Sequence, residues 1–207
     1  MRETGGEGVK PNPIMAAMML ALCPLVASPA LADTPAAAQE KAPFVAADFD
    51  VPSLAETPGF KLVPLGPALV DIDFAAYMSS IAHLQQTFTR STGWPRADIT
   101  AAEAMADMQT EEGRFERRES FAYAVLTPDG QRERGCIYVY PSTVPGHDAV
   151  IRLWVTKAEY DAGFDAELYA WAQQWIADEW PFTNAAFPGR ATPWEEWDAL
   201  VKASTAG

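Results

Sequence analysis

Side chains that can exchange protons or bind anions cluster on three β-strand candidates in the second half of the chain. They are Tyr123, Cys136, Tyr138 and Arg152, with His147 in the loop before the third strand. Cys136 and Tyr138 alternate onto one face of their strand, together with Tyr140. Two interpretations of that face stay open: a pocket wall with hydroxyl donors, or a sheet face covered by helices.

Arg152 lies in the middle of the apolar stretch 149–155, where a charge needs a partner. It either pairs with an Asp or Glu from a helix or recognises a carboxylate of a ligand. His147 is followed by Asp148, a neighbour pair that is common by chance, and His83 lies at the edge of a helix face as a structural residue. Two histidines and two cysteines exclude a multi-histidine or cysteine-rich metal centre, so we predict no metal site.

Composition limits the classes of partner. The 207 residues carry 15 Lys and Arg against 28 Asp and Glu, a formal net charge of −13. Nucleic acids and anionic membrane surfaces are therefore poor partners, and a small molecule or another protein remains. The 49% of apolar residues suffices for a folded core.

The N-terminal segment has the pattern of a secretory signal peptide over residues 1–32. Its apolar stretch 14–26 has thirteen residues, fewer than the roughly 20 that span a bilayer as a helix. Small residues at Ala30 and Ala32 favour cleavage before Asp33. We expect a periplasmic or secreted protein with no membrane span after cleavage. Its one cysteine would then be Cys136, which we expect to be buried. The alternatives to a signal peptide are a misassigned start of the chain and a buried N-terminal helix.

The segment 33–58 is rich in Ala and Pro and is predicted to be a linker or a strap on the surface. Four apolar residues could anchor such a strap: Phe44, Phe49, Val51 and Leu54. A C-terminal extension, 191–207, carries Trp194 and Trp197 in a closing helix or flap. We expect Trp154, Trp171 and Trp175 to form one core seam, whereas Trp180, Trp194 and Trp197 could line a groove or a partner surface.

Periodicity predicts a domain over residues 59–190. Strands are predicted at 60–65, 121–126, 135–140, 149–155 and 184–187, and helices at 69–88, 101–114 and 164–180. Thr100 and Glu103 form a capping-box pattern before the second helix. The order β, α, α, β, β, β, α, β predicts an α/β (α+β) domain with a mixed, mostly antiparallel sheet flanked by helices.

This order resembles the GNAT superfamily of N-acetyltransferases from about Phe60 to Gly189. Two helices follow the first strand, a hairpin carries Gly135-Cys-Ile-Tyr-Val139, and a long strand ends in Trp154-Val155 before an amphipathic helix. The strings WP, FAY, GCIYVYP, LWV, WPF and PGR are similar to a less characterised, GNAT-like branch.

The resemblance implies an N-acyltransferase of unknown substrate that uses acetyl-CoA. It places the cofactor at Val155, Thr156 and Gly163, and it makes Tyr138, Tyr123 and Arg152 candidates for the catalytic groups. The family's pyrophosphate loop, Gln/Arg-x-x-Gly-x-Gly/Ala, is reduced here to Gly163. The segment around the start of the helix predicted at 164–180 is instead acidic, with Lys157 as the only nearby cation in the sequence. Its carboxylates are those of Glu159, Asp161, Asp165 and Glu167. This excess of negative charge predicts weaker phosphate binding. The alternative is a non-catalytic GNAT-like module that binds a small molecule or a protein in the periplasm.

Overall fold

The computed structural model describes residues 44–205, which form six strands and six helices. The strands are β1 Ala55–Glu56, β2 Lys61–Pro64, β3 Phe121–Leu126, β4 Glu133–Pro141, β5 Ala149–Val155 and β6 Ala185–Ala186. The helices are α1 Val70–Met78, α2 Ile81–Thr87, α3 Ala101–Glu116, α4 Lys157–Asp161, α5 Phe164–Glu179 and α6 Trp194–Thr205. The predicted signal segment lies outside the described residues.

The sheet has the strand order of the chain itself, β1-β2-β3-β4-β5-β6. Neighbouring strands are antiparallel except β5 and β6, which are parallel. The predicted fold class, a mixed and mostly antiparallel sheet flanked by helices, is confirmed. The parallel pair meets at only two positions, Ala149 with Ala185 and Val150 with Ala186, so within the described residues β5 has no strand neighbour on that side beyond Val150.

Side-chain alternation divides the core between the two faces of the sheet. Ile137, Leu153 and Val155 pack with α5 in one buried cluster, whereas Cys136 and Trp154 pack with α1, α2 and α3 in the other. The predicted single seam of three tryptophans is therefore wrong. Trp171 and Trp175 stack at a centroid distance of 5.4 Å on the α5 side, while Trp154 belongs to the opposite face.

The C-terminal tryptophans have separate places in the fold. Trp180 is buried in the cluster under α5, so it is a core residue and lines no groove. Trp197 is buried by α6 against Val144 and Ala186, and Trp194 is half-buried beside it. The C-terminal extension is thus a closing helix that packs on the edge of the sheet.

The strap crosses the α5 side of the sheet. Phe44, Phe49 and Val51 pack against the core as predicted, but Leu54 is 55% exposed and anchors nothing. Leu54 immediately precedes the short edge strand β1, whose pairing with β2 holds this end of the strap by backbone hydrogen bonds instead.

The predicted helix 69–88 is two helices, α1 and α2, because two serines interrupt it. The Ser79 hydroxyl donates to the Ala76 carbonyl at 2.6 Å, and Ser80 leaves the helical conformation at φ −136°. Serine side chains compete in this way with helical backbone bonds. The break places the Ser80 hydroxyl where it accepts a hydrogen bond from the Lys157 amide at the start of α4.

The predicted capping box begins α3. Thr100 accepts a hydrogen bond from the Glu103 amide at 3.2 Å, and the Glu103 carboxylate accepts from the Thr100 amide at 2.8 Å. We expect Thr100→Ala to lower the free energy of unfolding by about 1 kcal/mol, because it leaves amides of the first turn without a partner. Urea denaturation measures the change. Thr110→Ala, an exposed position within the same helix, is the matched control and should change stability by less than half as much.

Candidate functional site

The β5–α4 turn lies at the carboxyl end of β5, where the sequence predicts the cofactor. Thr156 caps α4 by accepting from the Glu159 amide at 3.3 Å, and the Lys157 amide donates to the Ser80 hydroxyl at 2.9 Å. The backbone of Val155 hydrogen-bonds the ring of His83. Two amides at the start of α4 are thus already bonded within the chain.

His83 is a structural residue, as the sequence predicts. Its ring packs on Tyr160 at a centroid distance of 4.9 Å. Burial, followed by the neighbouring charge of Lys157, lowers the pKa of His83. A neutral ring at this position closes one side of the β5–α4 turn without adding charge to it.

Gly163 has a different role from the glycines of a phosphate loop. It follows α4 rather than preceding it, and its φ of +84° joins α4 to α5. A left-handed backbone of this kind favours glycine. Val155 and Thr156 adjoin each other at the turn, whereas Gly163 lies beyond the full length of α4, so the structure does not bring all three together.

Three of the four carboxylates that the sequence places around the turn form ion pairs. Glu159 accepts from Arg134 at 2.6 Å and from Arg132 at 2.7 Å, while Asp161 pairs with Lys157 at 2.5 Å. Asp165 is bound by Arg190 at 2.8 Å. Burial opposes the charge of Glu159, but the hydrogen bonds from the two arginines prevail and its pKa is lowered.

The sequence prediction that Lys157 alone opposes these carboxylates is therefore wrong. Arginines that are distant in sequence come close because β4 begins beside the end of β5, with Gly135 opposite Val155. The β5–α4 turn is less negative than its local sequence indicates.

A cavity of about 320 Å³ lies beside the turn, between α1, the start of β4 and α4. Its α1 wall includes Ala75 and Ala76, whose small side chains leave space for a ligand. Thr156 and Ala158 form the wall at the turn, and Glu133 lies in the wall at β4.

Three buried acidic groups meet behind this cavity: Asp73 from α1 and Glu133 and Cys136 from β4. The Cys136 sulfur lies 2.9 Å from Glu133 Oε1 and 3.8 Å from Asp73 Oδ1. Burial raises the pKa of Asp73 to about 7, and it raises the pKa values of Glu133 and Cys136 well above their ordinary values. The free thiol is buried, as predicted.

A β-bulge explains how Glu133 and Cys136 reach the same side of the sheet. Val125 pairs with Gly135 but Leu126 pairs with Glu133, so Arg134 has no opposite residue on β3. The extra residue reverses the alternation and turns Glu133 towards Cys136. Arg134 is turned to the other face, where its guanidinium lies 3.3 Å from the ring centroid of Phe164.

Sequence reasoning missed Asp73 and Glu133. A signal for Asp73 exists, since it shares the helix spacing of the buried Ala76 and Tyr77. Regular alternation would have placed Glu133 on the wrong face, so the bulge hides it.

The two candidate tyrosines lie on opposite faces of the sheet. The Tyr123 hydroxyl donates to the Pro52 carbonyl at 2.8 Å on the α5 side. Tyr138 is buried on the other face, where the Trp154 indole N–H approaches its hydroxyl at 3.4 Å. The face with Cys136 and Tyr138 is covered by helices, and no single pocket contains both tyrosines.

Arg152 forms no ion pair with a helix carboxylate, contrary to one of its two predicted roles. It donates to the Phe88 carbonyl, and its guanidinium lies 4.3 Å from the centroid of the Phe88 ring. Within the part of the chain that the structure describes, no carboxylate lies within 4.0 Å of it. Phe88 caps the C-terminus of α2, and helix C-termini attract positive charge, so the backbone replaces the expected carboxylate.

His147 packs on Trp197, at a centroid distance of 5.5 Å between the two rings.

Comparison with known proteins finds similar solved structures. No protein-family model matches the chain, and no curated protein matches it. Among solved structures, a ribosomal-protein-S5-alanine acetyltransferase of Vibrio fischeri is 13% identical at a TM-score of 0.48, covering 75% of this chain and 82% of its own.

Two further structures are similar. A Bordetella pertussis protein described as a GnaT-family acetyltransferase is 20% identical at a TM-score of 0.44, covering 61% of this chain and 73% of its own. The ribosomal L7/L12 alpha-N-protein acetyltransferase RimL, in complex with coenzyme A, is 15% identical at a TM-score of 0.46. The match covers 61% of this chain and 67% of RimL. All three TM-scores are below 0.5, and similarity at this level transfers no family, residue roles or ligands to the chain.

Proposed function

We propose that this protein is an N-acyltransferase that takes its acyl group from a coenzyme A thioester. One observation carries the proposal: a cavity opens beside the carboxyl end of β5, between α1, the start of β4 and the start of α4. The GNAT resemblance of the sequence implies an acyl donor at this same end of the strand, and this supports the proposal.

The residues at the turn fit a phosphate group through side chains rather than amides. The amides of Lys157 and Glu159 are occupied by Ser80 and Thr156. Arg132 is an exposed cation in the cavity wall, and Lys157 is an exposed cation between the lining residues Thr156 and Ala158; both could exchange a carboxylate for a phosphate. They would hold the pyrophosphate, and the cavity would take the acyl arm. When bound, the donor supplies an activated acyl group, and the chain positions it and excludes water.

Binding of acetyl-CoA to the purified protein tests the proposal. Acetyl-CoA should raise the melting temperature, and Lys157→Glu and Arg132→Glu should each weaken binding by about tenfold, equivalent to about 1.4 kcal/mol. Lys202→Glu, an exposed reversal of the same charge on α6, is the matched control and should bind like the parent protein. Calorimetry gives the affinities, and release of free thiol with an amine mixture gives turnover. No thermal shift with any CoA ester at millimolar concentration would exclude this function.

We also propose export of the protein, on the signal-peptide pattern of residues 1–32. None of the helices among residues 44–205 is long and apolar enough to cross a membrane. Sequencing the N-terminus of protein from the periplasmic fraction should give Asp33 as the first residue. Intact Met1 on cytoplasmic protein would refute export. Because acyl-CoA esters are cytoplasmic, export of all of the protein would count against the acyl-CoA proposal, whereas a cytoplasmic pool of the protein would be compatible with it.

A further inference from the structure

Asp73, Glu133 and Cys136 form an unusual buried group, because each can supply one metal ligand and these ligand atoms lie within 4.8 Å of one another. We propose that they bind a divalent transition-metal ion of the zinc class, with one coordination position open to the cavity. The site departs from the sequence prediction of no metal, which considered only clusters of histidine or cysteine.

The group lacks a compensating positive charge. The three residues are at most 3% exposed, and among residues 44–205 no lysine or arginine forms an ion pair with Asp73 or Glu133. Arg132 and Arg134, which flank Glu133 in the sequence, are bound to Glu159 instead. Asp73 and Glu133 hydrogen-bond each other and Cys136. A divalent ion would displace the protons of these groups and supply the missing positive charge directly.

A second observation points to a ligand at the same place. Oxygen Oε2 of Glu133 is buried without a hydrogen-bond partner, although buried carboxylate oxygens are ordinarily bonded. Glu133 also lies in the wall of the 320 Å³ cavity. An ion bound by Glu133 would therefore lie next to the cavity, where the fourth, exchangeable position of a metal with three protein ligands could open.

The chemistry of the ligands indicates which metal fits. Calcium and magnesium take oxygen ligands almost exclusively, and a thiolate is a poor ligand for them. One sulfur and two carboxylate oxygens suit zinc, or cobalt in its place. Asp73 is fixed by α1 and the other two ligands by β4, so the group is held by two packed elements rather than by a loop.

Metal binding to the full-length protein tests the inference. After treatment with a chelator, we expect one equivalent of Zn²⁺ to bind and to raise the melting temperature. Co²⁺ should give the absorption band of thiolate-to-cobalt charge transfer. Cys136→Ser should abolish this band, and Asp73→Asn should weaken Zn²⁺ binding at least tenfold while the thiol stays in place.

Two matched controls separate this site from unspecific binding. Cys23→Ser removes the other cysteine of the sequence, and Glu111→Gln removes another buried carboxylate that also has an unpartnered oxygen. Both variants should retain Zn²⁺ stoichiometry and the Co²⁺ band. Circular dichroism verifies that each variant is folded. The inference is overturned if the parent protein binds no stoichiometric Zn²⁺, or if folded Cys136→Ser keeps the band. No arm of this experiment contains a CoA ester, so its failure is separate from a failure of the acyltransferase proposal.

Discussion

Gly135→Ala should destabilise the protein by about 3 kcal/mol or more, a larger loss than surface substitutions cause. A Cβ atom at this position would lie 2.0 Å from the Trp154 carbonyl oxygen and 2.8 Å from Val155 Cα. These are backbone atoms of a paired strand, so no side chain can rotate away to make room. Relief requires β4 and β5 to separate.

The site should change together with stability, because Gly135 lies between Glu133 and Cys136 and opposite the last residue of β5. Separating the strands here displaces both the β5–α4 turn and the bulge. We expect a lower urea midpoint and a weaker thermal shift with acetyl-CoA.

Gly59→Ala is the matched control for this substitution. A Cβ atom at Gly59 would meet only the Glu167 carboxylate, at an ordinary contact distance of 3.7 Å. Its urea midpoint should therefore stay close to that of the parent protein. Equal stability of Gly135→Ala and Gly59→Ala would show that β4 and β5 are not as closely paired as described.

The strands and helices were predictable where local pattern and packing agree. The segments 121–126 and 149–155 are apolar runs bounded by turns, and both are strands with those limits. The capping box likewise fixed the start of α3, because its two hydrogen bonds are local. The break between α1 and α2 was missed because the apolar spacing continues through Ser79 and Ser80.

The site was predictable only in part, because its groups come together through tertiary structure. The apolar pattern predicted that β5 ends at Val155, and the GNAT resemblance then named Val155 and Thr156 as site residues. The arginines that bind Glu159 enter from another strand, and no local pattern relates them to it. The buried acidic group depends on the bulge at Arg134, and a single extra residue leaves no periodic signal in a strand of nine.

Trp154→Ala should cost about 4 kcal/mol of unfolding free energy, since burial of a large aromatic side chain and avoidance of a cavity are both lost. Trp154 is 2% exposed and lies in the cluster between the sheet and helices α1 to α3. It is the direct β5 neighbour of Cys136, so its removal leaves space next to the buried acidic group.

Trp171→Ala makes the same chemical change on the opposite face and serves as the control. Trp171 is half-buried, stacked on Trp175, and its removal opens a space that solvent can fill. We expect roughly half the loss of Trp154→Ala, about 2 kcal/mol, with metal and CoA binding unchanged. A loss for Trp171→Ala equal to that for Trp154→Ala would contradict the division of the core between the two faces. The proposed metal site lies on the α1 side of the sheet, so of these two substitutions only Trp154→Ala should alter the affinity for Zn²⁺. This difference would link the packing of the α1 side to the metal binding that we propose there.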